Sequence, residues 1–204
     1  MLETNALPTA TLAALRKLMR IPSLEDRILV GGTGLALYLG HRLSVDIDLF
    51  SPEALDADRF VSDLKQWGQT QYLNNSPVSL HLLFDGVKTD IIKYPHPWIR
   101  AVIREDGVRL ASIEDIAAMK LAAVTNRGSK KDFYDIFFLL RQYPLPQLFA
   151  FFQEKFPEWN LFMVVQSLGY FEDAESTETP HVLQKNVSWS KVKKAISEAL
   201  KKYA

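Results

Sequence analysis

Residues 43–50 run Leu-Ser-Val-Asp-Ile-Asp-Leu-Phe, an alternation of apolar and polar side chains. A period of two predicts a strand, because successive side chains of extended backbone point to opposite faces of a sheet. On that strand Ser44, Asp46 and Asp48 share one face, and Val45, Ile47 and Leu49 share the other. Two carboxylates on neighbouring same-face positions repel each other, so a strand otherwise suited to burial carries them unfavourably unless a cation lies between them. Hard oxygen ligands without Cys or nearby His suit Mg²⁺ or Mn²⁺ and not zinc. Taken alone, the pair is explained as well by the solvated face of an amphipathic strand.

The rest of the chain divides near residue 111. Before it, helical spacing covers residues 11–20 and 58–67. Strand patterns cover 27–30, 69–73, 78–84, 87–94 and 98–104, with Asp85-Gly86 and Asp106-Gly107 as two-residue hairpin turns. After it the pattern is helical. Ser112-Ile113-Glu114-Asp115 and Ser129-Lys130-Lys131-Asp132 read as capping boxes, and further helices are expected over 146–155, 160–169 and 190–203. Only 172–180, acidic and rich in Ser and Thr, reads as a loop. The expectation is an α+β chain: a mixed sheet with flanking helices in residues 1–111, then a helical module in 112–204 that packs on the active site.

Upstream of the acidic strand, Val30-Gly31-Gly32-Thr33-Gly34 lies where a short strand gives way to a helix. Backbone amides and the helix dipole at such a junction can hold phosphate oxygens. The segment is neither a Walker A loop nor a dinucleotide fingerprint, since both the Lys-Ser/Thr and the glycine spacing are missing. Its weight comes from combination: Gly-Gly, a short helix, then Asp-Ile-Asp, with thirteen residues between Gly32 and Asp46.

That order resembles the signature of the DNA polymerase β-type nucleotidyltransferase superfamily. Within it, VGGTGLALYLGHRLSVDIDLF resembles the AbiEii/AbiGii toxin family, in which Arg-x-Ser, here Arg42 and Ser44, precedes the Asp-x-Asp strand. The resemblance spans residues 28–141 and implies a nucleotidyltransferase-like fold with a third carboxylate on a later strand. Asp90 in Val87-Lys88-Thr89-Asp90-Ile91-Ile92 is the candidate, because Asp85 sits in a glycine turn and Asp63 on a helix. It further implies metal binding by Asp46, Asp48 and Asp90, and phosphate contacts from Gly31, Gly32, Thr33, Arg42 and Ser44. The implied reaction moves a nucleoside monophosphate from an NTP, GTP or CTP by family, to RNA such as a tRNA acceptor end. A toxin restrained by a cognate antitoxin is the implied setting.

The helical half carries a second match. Lys120, Arg127 and Lys131-Asp132-Phe133-Tyr134-Asp135 resemble the family's downstream motifs, in which a helix lysine and a Lys-Asp-x-x-Asp segment approach the nucleotide. Independently, Lys120 and Arg127 fall on the apolar stripe of their helix, where an unpartnered lysine is seldom placed. A stem lying along the core with its head in water is the alternative. Asp132 occupies the third position of the Ser129 capping box, which explains it without catalysis, whereas no cap explains Asp135. The resemblance implies that Lys120 offsets charge on pyrophosphate; Asp135 is expected to orient Lys120 or Lys131 or to act as a base, and Arg127 and Lys131 are nucleotide-binding candidates. The four histidines show no metal-site spacing and are read as structural or surface residues.

Composition narrows the partners. Lys and Arg number 24 against 24 Asp and Glu, so indiscriminate nucleic-acid binding is excluded, and any RNA is held by a local patch. Residues 185–204, with six lysines and one Glu, are such a patch or simply a solvated helix face. There is no Cys, which excludes disulfides and thiolate metal sites. Neither a signal-type leader nor a run of about 20 apolar residues appears, so a cytoplasmic protein with no membrane partner is expected. Two other functions share parts of the pattern: a small-molecule, antibiotic-type nucleotidyltransferase, and a non-catalytic nucleotide-binding module.

Overall fold

A computed structural model describes residues 1–126 and 128–203. Among these, the elements in chain order are α1 (Thr9–Leu18), β1 (Ile28–Leu29), α2 (Gly31–Leu39), β2 (Ile47–Ser51), α3 (Ala57–Trp67), β3 (Thr70–Ser76), β4 (Ser79–Phe84), β5 (Val87–Lys93), β6 (Ile103–Glu105) and β7 (Val108–Leu110). These are followed by α4 (Ile113–Asn126), α5 (Lys130–Leu139), α6 (Leu145–Lys155), α7 (Leu161–Gly169), α8 (Glu172–Glu175) and α9 (Trp189–Tyr203). The fold is α+β. No helix among the described residues is long and apolar enough to cross a membrane.

The chain forms two compact units, one of residues 1–40 and 44–112, the other of 41–43 and the chain from Ile113 onward. The chain passes from the first unit to the second between Ser112 and Ile113. The excursion of His41–Leu43 into the second unit has no counterpart in the sequence pattern.

In the first unit all seven strands form one mixed sheet in the order β3-β4-β5-β2-β1-β7-β6. β2 runs parallel to β5, and β1 parallel to β7; the other neighbours are antiparallel. Both expected hairpin turns are present. Asp85 and Gly86 have φ of 50° and 79°, Asp106 and Gly107 of 50° and 76°. Positive φ at both central residues matches the right-handed twist of the flanking strands, and Asp-Gly reaches it at little steric cost. One face of the sheet is a fully buried core of Ile47, Leu49, Leu80, Leu82 and Ile91. Two arginines stitch non-repetitive backbone into it: Arg109 donates to the carbonyls of Met19, Leu24 and Arg27, and Arg27 to those of Glu53 and Ala54. A guanidinium meets several orphan carbonyls at once, which is how so polar a side chain is buried.

Three expected elements differ. The strand anticipated over 43–50 begins only at Ile47, and burial reverses ahead of it: Ser44 is buried, while Val45 is 56% exposed. The backbone of 44–46 is engaged elsewhere. Ser44 N–H donates to the Ala6 carbonyl, Thr11 Oγ1 to the Val45 carbonyl, and Thr33 Oγ1 to the Asp46 carbonyl. These contacts stand in place of strand pairing over 44–46, where the period-two pattern no longer holds. Likewise only Ile103–Glu105 of the strand expected over 98–104 pairs, and Glu172–Glu175 of the expected loop is a short helix.

In the second unit α4 packs against α5, α6 and α7, and α9 against α5, α6 and α7. Ile116, Leu121, Phe133, Ile136, Leu148, Phe152, Val164 and Leu168 are almost wholly buried. Each such side chain contributes about 1.5–3 kcal/mol on leaving water. Within this core Lys155 Nζ lies 2.6 Å from Asp115 Oδ1, both side chains fully buried, joining α6 to α4 by a charge pair.

Candidate functional site

In the first unit the parallel register of β2 and β5 sets Asp48 directly beside Asp90. The antiparallel register of β4 and β5 sets His81 beside Asp90 on the other side. Laterally paired residues project to the same side of a sheet, so His81, Asp90 and Asp48 form a polar row across three adjacent strands. All three are half-buried, and the opposite face of the same strands is the core. His81 Nδ1 lies 2.8 Å from Asp90 Oδ1, and Lys88 Nζ 3.5 Å from Asp90 Oδ2.

Gly31 opens α2 with a φ of +69°, and a Cβ built there would overlap the Asp48 carboxylate. The Val30 N–H donates to the Asp48 carbonyl at 3.0 Å, which holds the two segments in that close approach. Glycine is therefore demanded twice, by backbone conformation and by space. The first amides of α2 have no carbonyl partner within their own helix, so they are available to an anion beside Asp48. Gly31→Ala is expected to displace Asp48 and to lower activity by far more than stability, since the conformational term alone is about 1–2 kcal/mol. Parallel kinetic and thermal-unfolding measurements test this; equal wild-type activity in a folded variant would remove Gly31 from the site.

Thr33 and Ser44, expected to face phosphate, point inward instead. Both are buried, their hydroxyl oxygens lie 2.9 Å apart, and Thr33 also holds the Asp46 carbonyl. Their side chains fix the turn that carries Asp46.

Among the described residues no three of His, Cys, Asp and Glu are grouped so as to hold a metal ion. Of the expected trio, Asp90 lies beside Asp48 in the sheet and also contacts His81 and Lys88. Asp46 and Asp48, two residues apart and both half-buried, still suit Mg²⁺ or Mn²⁺. Mg²⁺ typically takes one or two carboxylates from a protein and its remaining oxygens from phosphate and water.

The second unit contains a buried ionic cluster. Arg42 grips Asp135 with both Nε (2.7 Å) and Nη2 (3.0 Å), and His41 Nε2 lies 2.8 Å from the same carboxylate. Lys120 Nζ reaches Asp135 Oδ2 at 2.6 Å and Asp132 Oδ1 at 3.1 Å. Every one of these side chains is buried. His41 must donate its Nε2 proton to Asp135, because the carboxylate only accepts and buried Nδ1 has no hydrogen-bond partner.

The cluster brings together residues that the sequence singles out separately. Arg42, Lys120 and Asp135, assigned to phosphate or catalysis by the family pattern, satisfy one another in the interior. Ser129 is the N-cap of α5, as expected, but its hydroxyl donates to Asp132 Oδ2 at 2.6 Å and caps no backbone amide. Asp132 therefore has a charge partner as well as a cap position. Lys131 is half-buried, and no ion pair holds it among the described residues; Arg127 lies outside them.

Burial pushes the Asp135 carboxyl up, but Arg42 and Lys120 override it and hold it well below the ordinary carboxylate range. Burial likewise lowers Lys120, but Asp135 and Asp132 override it and raise it. A depressed acid contributes stability above its unfolded pKa of about 4 and loses it as pH falls through the folded value. A raised lysine contributes below its unfolded pKa of about 10 and loses that as pH rises through its folded value. Urea midpoints are accordingly expected to be flat between about pH 5 and 9 and to fall at both ends. An unchanged midpoint at pH 3 would contradict the ionised cluster.

Two histidines read as incidental are thus carboxylate partners. For His81 a signal existed: across the two-residue Asp85-Gly86 turn, residues equally distant from Phe84 and Val87 pair, which matches His81 with Asp90. For His41 there was none, as its partner is 94 residues away.

The chain matches the model of the family described as nucleotidyl transferase AbiEii toxin, type IV toxin–antitoxin system, over residues 13–200. It is 32% identical over 196 residues to an uncharacterized protein of Aquifex aeolicus (strain VF5), covering 93% of this chain and 94% of that one. Its fold is similar to that of JHP933 from Helicobacter pylori, with a TM-score of 0.56 and 16% identity over 96% of this chain and 92% of that one. It is also similar to MenT4, nucleotidyltransferase toxin Rv2826c from Mycobacterium tuberculosis H37Rv, with a TM-score of 0.51 and 15% identity over 93% and 82%.

Proposed function

Because the chain belongs to the AbiEii nucleotidyl transferase toxin family, we propose that the sheet face carrying Asp48 and Asp90 binds a nucleoside triphosphate and transfers its nucleoside monophosphate to RNA. One observation carries this reading: α2 opens against the Asp48 carboxylate so closely that only glycine fits at position 31. That juxtaposes anion-binding amides with an acidic pair, the two components a metal–triphosphate requires.

The amides of Gly31 and Gly32 bind phosphate oxygens, and Thr33 and Ser44 keep the Asp46 turn in place. Asp46 and Asp48 hold Mg²⁺ or Mn²⁺ together with the triphosphate. A divalent cation bound there would offset the negative charge that builds up on the leaving phosphate oxygens. The acceptor hydroxyl oxygen attacks the α-phosphorus, the α–β bridging bond breaks, and pyrophosphate departs. The Asp90–His81 pair, beside Asp48, takes the proton released by the acceptor.

Family membership supports GTP or CTP as donor, a tRNA acceptor end as acceptor, and restraint by a separately encoded antitoxin in the cytoplasm. The exposed Lys191, Lys194, Lys201 and Lys202 of α9 support RNA over a small cationic acceptor, since they attract a polyanion. The test is incubation with each labelled NTP, Mg²⁺ and total cellular RNA. Label from GTP or CTP is expected in RNA and is expected to vanish with EDTA. Label confined to small acceptors would replace RNA by a small-molecule substrate, and binding without transfer would remove the reaction.

A further inference from the structure

Helix α7 is apolar on both sides. Its inner face buries Val164 and Leu168, four residues apart, as a core helix does. Its outer face exposes Phe162 to 59% and Met163 to 53%, and it is extended at the two ends by Trp159 at 40% and Tyr170 at 49%. Helices with two apolar faces are ordinarily buried on both. Single exposed apolar side chains need no explanation, whereas two on one short helix with two more at its ends mark a contact surface. A groove of about 580 Å³ runs beside them, bounded by Met163 and Tyr170 on one side and Val124 on the other, with Asp173 at its rim.

The electrostatics around this face select its occupant. From Glu158 to Glu178 the chain carries five acidic residues and no Lys, Arg or His. Glu158, Glu172, Asp173 and Glu178 are exposed, as is Glu175, whose charge is met by Lys193 at 2.6 Å. Glu172 and Asp173 push the Tyr170 phenol above its ordinary range, a sign that the local field is negative. Such a rim repels nucleic acid and anionic membrane, and it repels the same face of a second copy.

We propose that the outer face of α7 and its groove form a docking surface for a partner protein segment whose apolar side chains are flanked by Lys or Arg. The apolar row fills the groove, and the basic flanks lie against Glu172 and Asp173. None of these residues belongs to the proposed transfer site, so docking and transfer are separable.

Two synthetic amphipathic 18-residue peptides test the proposal with the full chain, one with a leucine face flanked by lysines and one flanked by glutamates. Tryptophan fluorescence reads binding, with Trp159→Phe identifying the reporter. The Lys-flanked peptide is expected to bind at least tenfold more tightly than the Glu-flanked one. Phe162→Ser is expected to weaken it at least tenfold, and Glu172→Lys with Asp173→Lys to reverse the preference. Nucleotidyl transfer and circular dichroism are expected to be unchanged in these variants. Equal affinity for the two peptides, or no binding of either, overturns the proposal. So does a dimer seen by sedimentation that Phe162→Ser abolishes, which would assign the face to a second copy. Binding to phosphatidylglycerol vesicles lost in Phe162→Ser would assign it to a membrane and overturn it equally.

Discussion

Asp46→Asn and Asp48→Asn are each expected to lower nucleotidyl transfer by about 10³-fold or more, equivalent to about 4 kcal/mol of transition-state stabilisation. Asparagine preserves shape and one acceptor oxygen but removes the negative charge that attracts a divalent cation. The two carboxylates are proposed to serve one ion, so the double variant should lose little more than either single one; groups acting as a unit are strongly non-additive. Both residues are half-buried at the edge of the core, and the substitutions conserve volume, so the melting temperature should move by only a few degrees. Transfer assays and thermal unfolding on the same preparations decide the matter. Activity retained by the double variant would place the reaction elsewhere.

Asp135→Asn is expected to act on stability first, by about 3–5 kcal/mol, because it removes the countercharge from two buried cations, Arg42 and Lys120. That is a large part of the roughly 5–15 kcal/mol holding a typical domain together. Asp132→Asn should have a smaller effect, since Lys120 keeps Asp135 at 2.6 Å. Replacing Arg42, Lys120 and Asp135 together by apolar residues of similar volume should be less damaging than Asp135→Asn alone, because no unpaired charge remains. Urea unfolding followed by Trp189, which packs on Phe133 and Tyr134 beside the cluster, measures all three. An Asp135→Asn effect below about 1 kcal/mol would mean that water or another group compensates the cations.

Asp135 shows what a sequence pattern leaves open. The pattern places Lys120 and Asp135 at the nucleotide, and sequence spacing alone ranks Asp135 above Asp132 because Asp132 has a capping explanation. The tertiary arrangement makes Asp135 the hub, with His41, Arg42 and Lys120 all on one carboxylate. Nothing local announces it: Arg42 and Asp135 are 93 positions apart, and a charged residue on an apolar stripe looks the same whether it awaits a ligand or a buried partner.

Elsewhere local chemistry was sufficient. Two Asp-Gly turns, the helix starts near residues 113 and 130, and the passage from mixed sheet to helices all follow from steric and capping preferences that act within a few residues. The Asp46-Ile47-Asp48 motif and its upstream glycines were equally plain, because they are contiguous. The Asp85-Gly86 turn even set the partner of Asp90, since a two-residue hairpin determines its own register. Beyond that reach, tertiary contacts decided. Which strand lies beside β2, and so that Asp48 faces Asp90, depends on a parallel pairing that no local turn specifies. Residues 44–46 read as strand by pattern, yet Ala6, Thr11 and Thr33 claim their backbone, turning Ser44 inward and Val45 outward. Periodicity records which side chains can be buried; where backbone hydrogen bonds and buried charges find their partners is settled only when distant segments meet.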